Sequence, residues 1–419
     1  MPRGPQVSDP TTPEYAAGRD AADPLAGLRD RFVGSETSLV YFDGNSLGRP
    51  LRATLDRLDA FVRDEWGGRL IRGWDEGWFD LPLTLGDDLA RVLLGAAPGQ
   101  TVIGDSTTVL LYKLIRAGVD AQLAADPGRT EIVIDRDNFP TDRYVVEGVA
   151  AERGLTVRWV DVELAGGVTP DLVRAAVGPA TGLAVLSQVA YRSSHVADAA
   201  TITEIVHDAG GLVLWDLCHS AGAVDVALDA WGADLAVGCT YKYLNGGPGS
   251  PAYCYVAARH QDRLTQPIQG WMGHADPFAM GPGYRPAPGM RRYVSGTPAV
   301  VGMLAMRDML ALVEEAGMAA VRDKARALTT YAVELFDAWL QELGVTLGSP
   351  RDPFQRGGHI TLHHPAMRAV TAALWDQDVI PDYRDPDGLR VGLSPLSTSF
   401  EEVRRGLEAV RDTLVKVGA

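Results

Sequence analysis

The fold is decided by residues 211–256, GLVLWDLCHSAGAVDVALDAWGADLAVGCTYKYLNGGPGSPAYCYV. Three apolar runs punctuate this stretch: GLVLWD (211–216), LAVGCT (235–240) and PAYCYV (251–256). Each is short, free of charge along most of its length and flanked by Gly, Pro or Asp. That is the pattern of a strand buried on both faces. Asp216 ends the first run, and Lys242 follows the second, just ahead of the turn NGGPG. The spacing of 26 residues suits one strand–helix–strand excursion, after which both side chains emerge at the same sheet edge.

The same alternation continues outward. Further strands are expected at EIVID (131–135), TVRWVDV (156–162) and LAVLSQV (183–189). Helices are expected at TDRYVVEGVAAERG (141–154) and ADAATITEIVHDAGG (197–211), the latter ended by a Gly pair. Apolar strands alternating with helices predict an α/β fold, a mostly parallel sheet covered on both faces. Beyond residue 298 the pattern changes to two long helices (300–316, 318–343), strands at 359–364 and 389–395, and a closing helix entered through Ser399. The expected organisation is therefore an N-terminal arm (1–45), a large domain (46–298) and a smaller α+β C-terminal domain (299–419). The first thirty-odd residues, rich in Pro, Asp and small side chains, read as disordered.

The 419 residues are 46% hydrophobic and 22% charged, with a net charge of −15. This acidic balance disfavours nucleic acid and anionic lipid as partners. No run approaches the ~18–20 apolar residues of a membrane span, and the N-terminus lacks a secretory h-region; a cytoplasmic location is expected. Cys218, Cys239 and Cys254 form no C-x-x-C pair and read as reduced core residues, with no metal site expected.

A lysine at a buried strand's end can be neutral and nucleophilic, as an aldehyde cofactor requires. An aspartate at the next strand's end can keep a pyridine nitrogen protonated. Alone, Lys242 reads as a solvated loop lysine and Asp216 as a helix cap. Together, within D-x-x-H-S (216–220) and Y-K-Y (241–243), they read as a cofactor pair. Ser106, Thr107 and Thr108 open an apolar helix whose free N–H groups would hold a phosphate, or else form an ordinary cap. Phe139 follows a strand and is either a stacking ring or core.

The motifs YFDGNSLGRP (41–50), DNFPTDRY (137–144), the 215–256 block, QGWMGH (269–274), YVSGTPAV (293–300) and LRVGLSPL (389–396) together resemble kynureninase, in the aspartate-aminotransferase-like family of pyridoxal-phosphate enzymes. The resemblance covers nearly the whole chain, and YKYLNGGPG is its most specific part. It implies pyridoxal 5'-phosphate as cofactor, carried on Lys242, with Asp216 at the ring nitrogen and Tyr241 as a proton donor. Thr107, Thr108 and Tyr241 would hold phosphate, Phe139 would stack, and Asp142, Ser187 and His219 would line the site. Trp271 and Thr297 would reach the active site of a neighbouring subunit in a homodimer. Arg390 would clamp the carboxylate of a kynurenine-type substrate, with Asn45 and Trp66 as further substrate contacts. The implied activity is hydrolysis of L-kynurenine, or of its 3-hydroxy form, to the anthranilate and L-alanine. The rival within this family is a substituted kynurenine of secondary metabolism. A cysteine desulfurase would need a cysteine on a mobile loop, and the last cysteine here lies in a strand. An intact Lys–Asp–Arg set argues against a non-catalytic binding protein.

Overall fold

The computed structural model describes residues 9–418. After the short strand β1 (Val40–Tyr41), a large sheet is built from β2 (Thr101–Gly104), β3 (Glu131–Asp135), β4 (Thr156–Val160), β5 (Thr181–Ser187), β6 (Leu212–Asp216), β7 (Leu235–Gly238) and β8 (Ala252–Val256). Its order is β2-β8-β7-β6-β5-β3-β4. Strands β3 to β7 run parallel, and β8 is antiparallel to both neighbours. The reversal has a local cause. Residues 239–251 hold tight turns rather than a crossover helix, and a parallel return would need a dozen or more residues, usually helical. Strand β2, four residues long, was not anticipated.

Two apolar clusters cover the sheet. Val133, Ala184, Leu186, Val213 and Trp215 face one, while Ile132, Ile134, Leu183, Val185 and Leu214 face the other. The alternation along each strand is what makes the runs wholly apolar.

The C-terminal region supplies β9 (Thr346–Leu347), β10 (His359–His363), β11 (Val379–Ile380), β12 (Asp382–Arg384) and β13 (Gly388–Gly392). Four of these form a sheet of order β12-β13-β10-β9, and β11 pairs with β1. Helices Val300–Ala316 and Met318–Trp339 lead into it. The closing helix, Phe400–Gly418, is entered as expected, with Ser399 Oγ accepting from Glu402 N–H at 3.0 Å.

The N-terminal expectation of disorder is corrected from residue 9 onward; residues 1–8 lie outside the described part. Pro13–Ala21 is a helix capped by Thr12, with Ala16 fully buried. Asp20 reaches the start of the closing helix and accepts from Phe400 and Glu401 N–H groups at 2.8 and 3.0 Å. A carboxylate there satisfies orphan donors and complements the helix dipole. No described helix is long and apolar enough to cross a membrane.

Candidate active site

The carboxyl ends of β2, β3, β5, β6 and β7 share one edge of the large sheet, and the predicted residues follow them. Asp216 is the last residue of β6 and Ser187 the last of β5, directly paired in register. Tyr241 and Lys242 follow β7, Phe139 and Asp142 follow β3, and Thr107 and Thr108 follow β2. Lys242 Nζ lies 3.4 and 3.5 Å from the two ring nitrogens of His219, and 5.9 Å from the centre of the Phe139 ring. Burial first, and then the Lys242 charge, holds His219 well below the ordinary imidazole range, so the ring is neutral.

Asp216 is 7% exposed and accepts from the Cys218 N–H at 2.7 Å. Asp142, in the first turn of helix Pro140–Arg153, is 2% exposed and lies against it. Burial, and then the Asp216 charge, pushes Asp142 well above the carboxylate range. Both causes favour the neutral, protonated form of Asp142. Ser187 Oγ donates to Asn138 Oδ1 at 3.0 Å, which turns the Asn138-Phe139 step toward the site. Phe139 stands edge-on to Tyr191, ring centres 5.3 Å apart.

Helix Thr107–Ala125 points its amino end at the same place, with Ser106 as its cap. Thr107 Oγ1 is enclosed and has no hydrogen-bond partner within the protein. Burial raises Tyr241 above its ordinary range, and Cys239 and Cys218 add to the shift, so its hydroxyl keeps its proton. Cys239 and Cys254 are buried as expected, whereas Cys218 is partly exposed.

The motif YFDGNSLGRP closes over this segment. Gly48 N–H donates to the Tyr241 carbonyl at 2.8 Å. A Cβ on Gly48 would stand 2.4 Å from the Lys242 carbonyl oxygen, so only glycine allows this approach. Asn45 is fully buried beside Gly392, with both amide atoms unpartnered within the protein.

Arg390, in β13, is 1% exposed. Its Nε donates to Asp382 Oδ2 at 2.7 Å, Nη1 to the Tyr191 carbonyl at 2.8 Å, and Nη2 to Ser46 Oγ at 2.9 Å. Nη2 also meets Asp382. Asp382, Ser46 and Tyr191 were not singled out in the sequence. The turn DPDG (385–388) is the signal that could have placed Asp382 opposite Arg390.

The remaining predicted residues sit apart. Trp66 is exposed and lines an apolar cavity of about 340 Å³ with Phe61, Trp74, Trp78 and the 297–302 segment, which includes Thr297. Trp271 lines a second cavity of about 280 Å³ within residues 269–284. Among the described residues, no hydrogen bond or ring contact joins Trp66, Trp271 or Thr297 to the Lys242 group.

A family model described as the kynureninase C-terminal domain matches residues 321–410. The chain is 40% identical over 407 residues to the kynureninase of Pseudomonas fluorescens, spanning 96% of each. It is 42% identical over 406 residues to the kynureninase of Burkholderia pseudomallei (strain 1106a), spanning 96% of this chain and 95% of the relative. Among solved structures, the apo cysteine desulfurase of Thermococcus onnurineus NA1 superposes with a TM-score of 0.78 at 17% identity, over 93% of this chain and 98% of that one. A C-DES mutant with glycine covalently linked to its PLP cofactor gives 0.80 at 19% identity, over 92% and 99%. Those two identities show a shared fold and nothing finer. The relatives matched along almost their whole length show more: this chain belongs to the kynureninase family.

Proposed function

We propose that this chain uses pyridoxal 5'-phosphate to hydrolyse L-kynurenine to anthranilate and L-alanine. The observation that carries this reading is the convergence of Lys242, Asp216, Asp142 and Phe139 at one sheet edge in a chain of kynureninase kinship.

The residues present fit the cofactor. The unpartnered Thr107 Oγ1 at a helix amino end suits a phosphate, with Thr108 and Tyr241 beside it. Phe139 offers a stacking face, Ser187 and His219 line the ring, and the Asp216–Asp142 pair suits a ring N–H. When bound, the cofactor supplies an electron sink linked to the substrate's amino group. Lys242, facing a neutral histidine, takes a proton from the substrate's α carbon and returns it nearby. Asp142, pushed up by burial and by its neighbour, keeps its proton beside Asp216. Tyr241, protonated at neutral pH, donates the proton that completes the alanine product.

Arg390 and Asn45 meet the substrate carboxylate, and the Trp66 cavity, which includes Thr297, takes the arene of a substrate held in the neighbouring subunit's site. In a homodimer, the exposed Trp271 and Thr297 serve the neighbouring subunit's site. Residues 46–298 act as the cofactor domain and 299–419 as the smaller one. Comparing turnover of L-kynurenine, 3-hydroxykynurenine and ring-substituted kynurenines tests this reading. The best kcat/KM is expected for L-kynurenine. Preference for a substituted ring would favour the secondary-metabolism alternative, and turnover of none would refute the proposal.

A further inference from the structure

Arg390 and Asp382 stand directly opposite each other in the antiparallel pair β12–β13. The register of the sheet therefore sets their approach, before any side-chain choice. Asp382 Oδ2 accepts from the Nε of Arg390 and forms ion pairs with its Nη2 and with Arg384, whose Nε lies 2.9 Å away. A guanidinium carries five N–H groups. Here the Nε–H goes to Asp382, one Nη2–H to Ser46 and one Nη1–H to the Tyr191 carbonyl, while Nη2 also stands in ion-pair contact with Asp382. One N–H on Nη1 is left, and the second on Nη2 has only that ion-pair contact. The Nε/Nη2 edge, one of two that could pair two-point with a carboxylate, is thus already occupied by a carboxylate of the protein.

We propose that Asp382 is the positioning residue for Arg390: it fills the Nε edge of the guanidinium and presents the Nη1 corner, next to Ser46, to the substrate carboxylate. The inference rests on the reading of Arg390 as the carboxylate site. Three groups from three parts of the chain fix the guanidinium plane: Ser46 from the segment after β1, Tyr191 from the loop after β5, and Asp382 from β12. Asp382 is the charged one and makes two of the four contacts. Arg384 shares its charge, so Asp382 can hold Arg390 without cancelling it. Without Asp382, a buried guanidinium would lose its orientation and its counter-charge together.

The test compares Arg390→Ala, Asp382→Ala and Asp382→Asn in the cofactor-loaded enzyme, measuring KM, kcat and cofactor affinity. D382A is expected to raise KM at least tenfold, with kcat and cofactor affinity within about twofold of the parent. D382N is expected to recover most of that loss, since its amide oxygen still accepts from Nε. If R390A raises KM and D382A does not, the positioning role is refuted while the Arg390 reading stands. If R390A leaves KM unchanged, the Arg390 reading itself fails. A D382N as weak as D382A also overturns positioning by hydrogen-bond geometry. Should D382A not fold, D382S, too short to hold Nε, carries the same expectation.

Discussion

Two parts of the molecule place a buried carboxylate where a charge must be controlled, and they are built in opposite ways. At the edge of the large sheet, Asp216 and Asp142 lie together because a strand and the first turn of a helix end at the same place. At the small sheet, Asp382 meets Arg390 because two antiparallel strands pair in one register. The first arrangement comes from topology, since parallel strands deliver their carboxyl ends to one edge. The second comes from register, and a one-residue slip would send the side chains to opposite faces. The two differ in charge as well. Asp142 is driven toward its neutral form beside Asp216, whereas Asp382 orients a cation.

The sharpest way to break this comparison is at the topological edge. Lys242→Ala should lower kcat by at least ~10³-fold, the scale of a lost positioned acid–base group. It should still bind free cofactor, as followed by absorbance. Activity near the parent's would remove Lys242 from the chemistry.

The two members of the Asp pair should then respond unequally. Asp216→Asn removes the charge facing the ring nitrogen and should cost roughly 10²-fold in kcat, as for loss of a charge-assisted hydrogen bond. Asp142 is driven toward its neutral form, so Asp142→Asn replaces a neutral group with a neutral one. It should cost about tenfold or less. Steady-state kinetics on both variants check the ranking, and equal losses would contradict a neutral Asp142.

The smallest effect on turnover is expected at the opposite edge of the sheet. Asp234, just before β7, accepts from Val213 N–H at 2.8 Å and pairs with His207, Arg259 and His260 at 2.8, 2.7 and 2.6 Å. Burial alone would raise its pKa. The hydrogen bonds from His207, His260 and Val213 outweigh that and hold the carboxyl well below its ordinary range. A depressed folded-state pKa stabilises the fold above the unfolded carboxyl's value, about 4, and that contribution is lost as pH falls below it. Asp234→Ala should therefore lower stability at neutral pH by about 1–3 kcal/mol, with the difference from the parent shrinking in acid. Its kcat should be unchanged. Denaturation midpoints across pH, beside turnover, check both parts.

The contrast between topology and register also explains what the sequence made legible. The strands carrying Asp216, Ser187 and Lys242 were readable because burial on both faces leaves an unbroken apolar run. Their polar residues were readable because each stands where a run stops. Thr107 was readable as the opening of a helix. The Asp382–Arg390 pair was not, since neither residue marks a strand's chemistry until the pairing partner is known. The Trp66 cavity joins residues 61–78 to 297–302, a meeting that no local pattern encodes. The N-terminal helix was hidden for a related reason. Only one of its residues, Ala16, is buried, so it shows little amphipathic signal, and the helix start that its Asp20 caps lies 380 residues away.

The most direct test is to load the purified protein with pyridoxal phosphate, reduce it with borohydride and map the modified peptide by mass spectrometry. The reduced cofactor is expected on Lys242 alone, with the absorbance band bleached. Label on another lysine, or on none, would contradict the account.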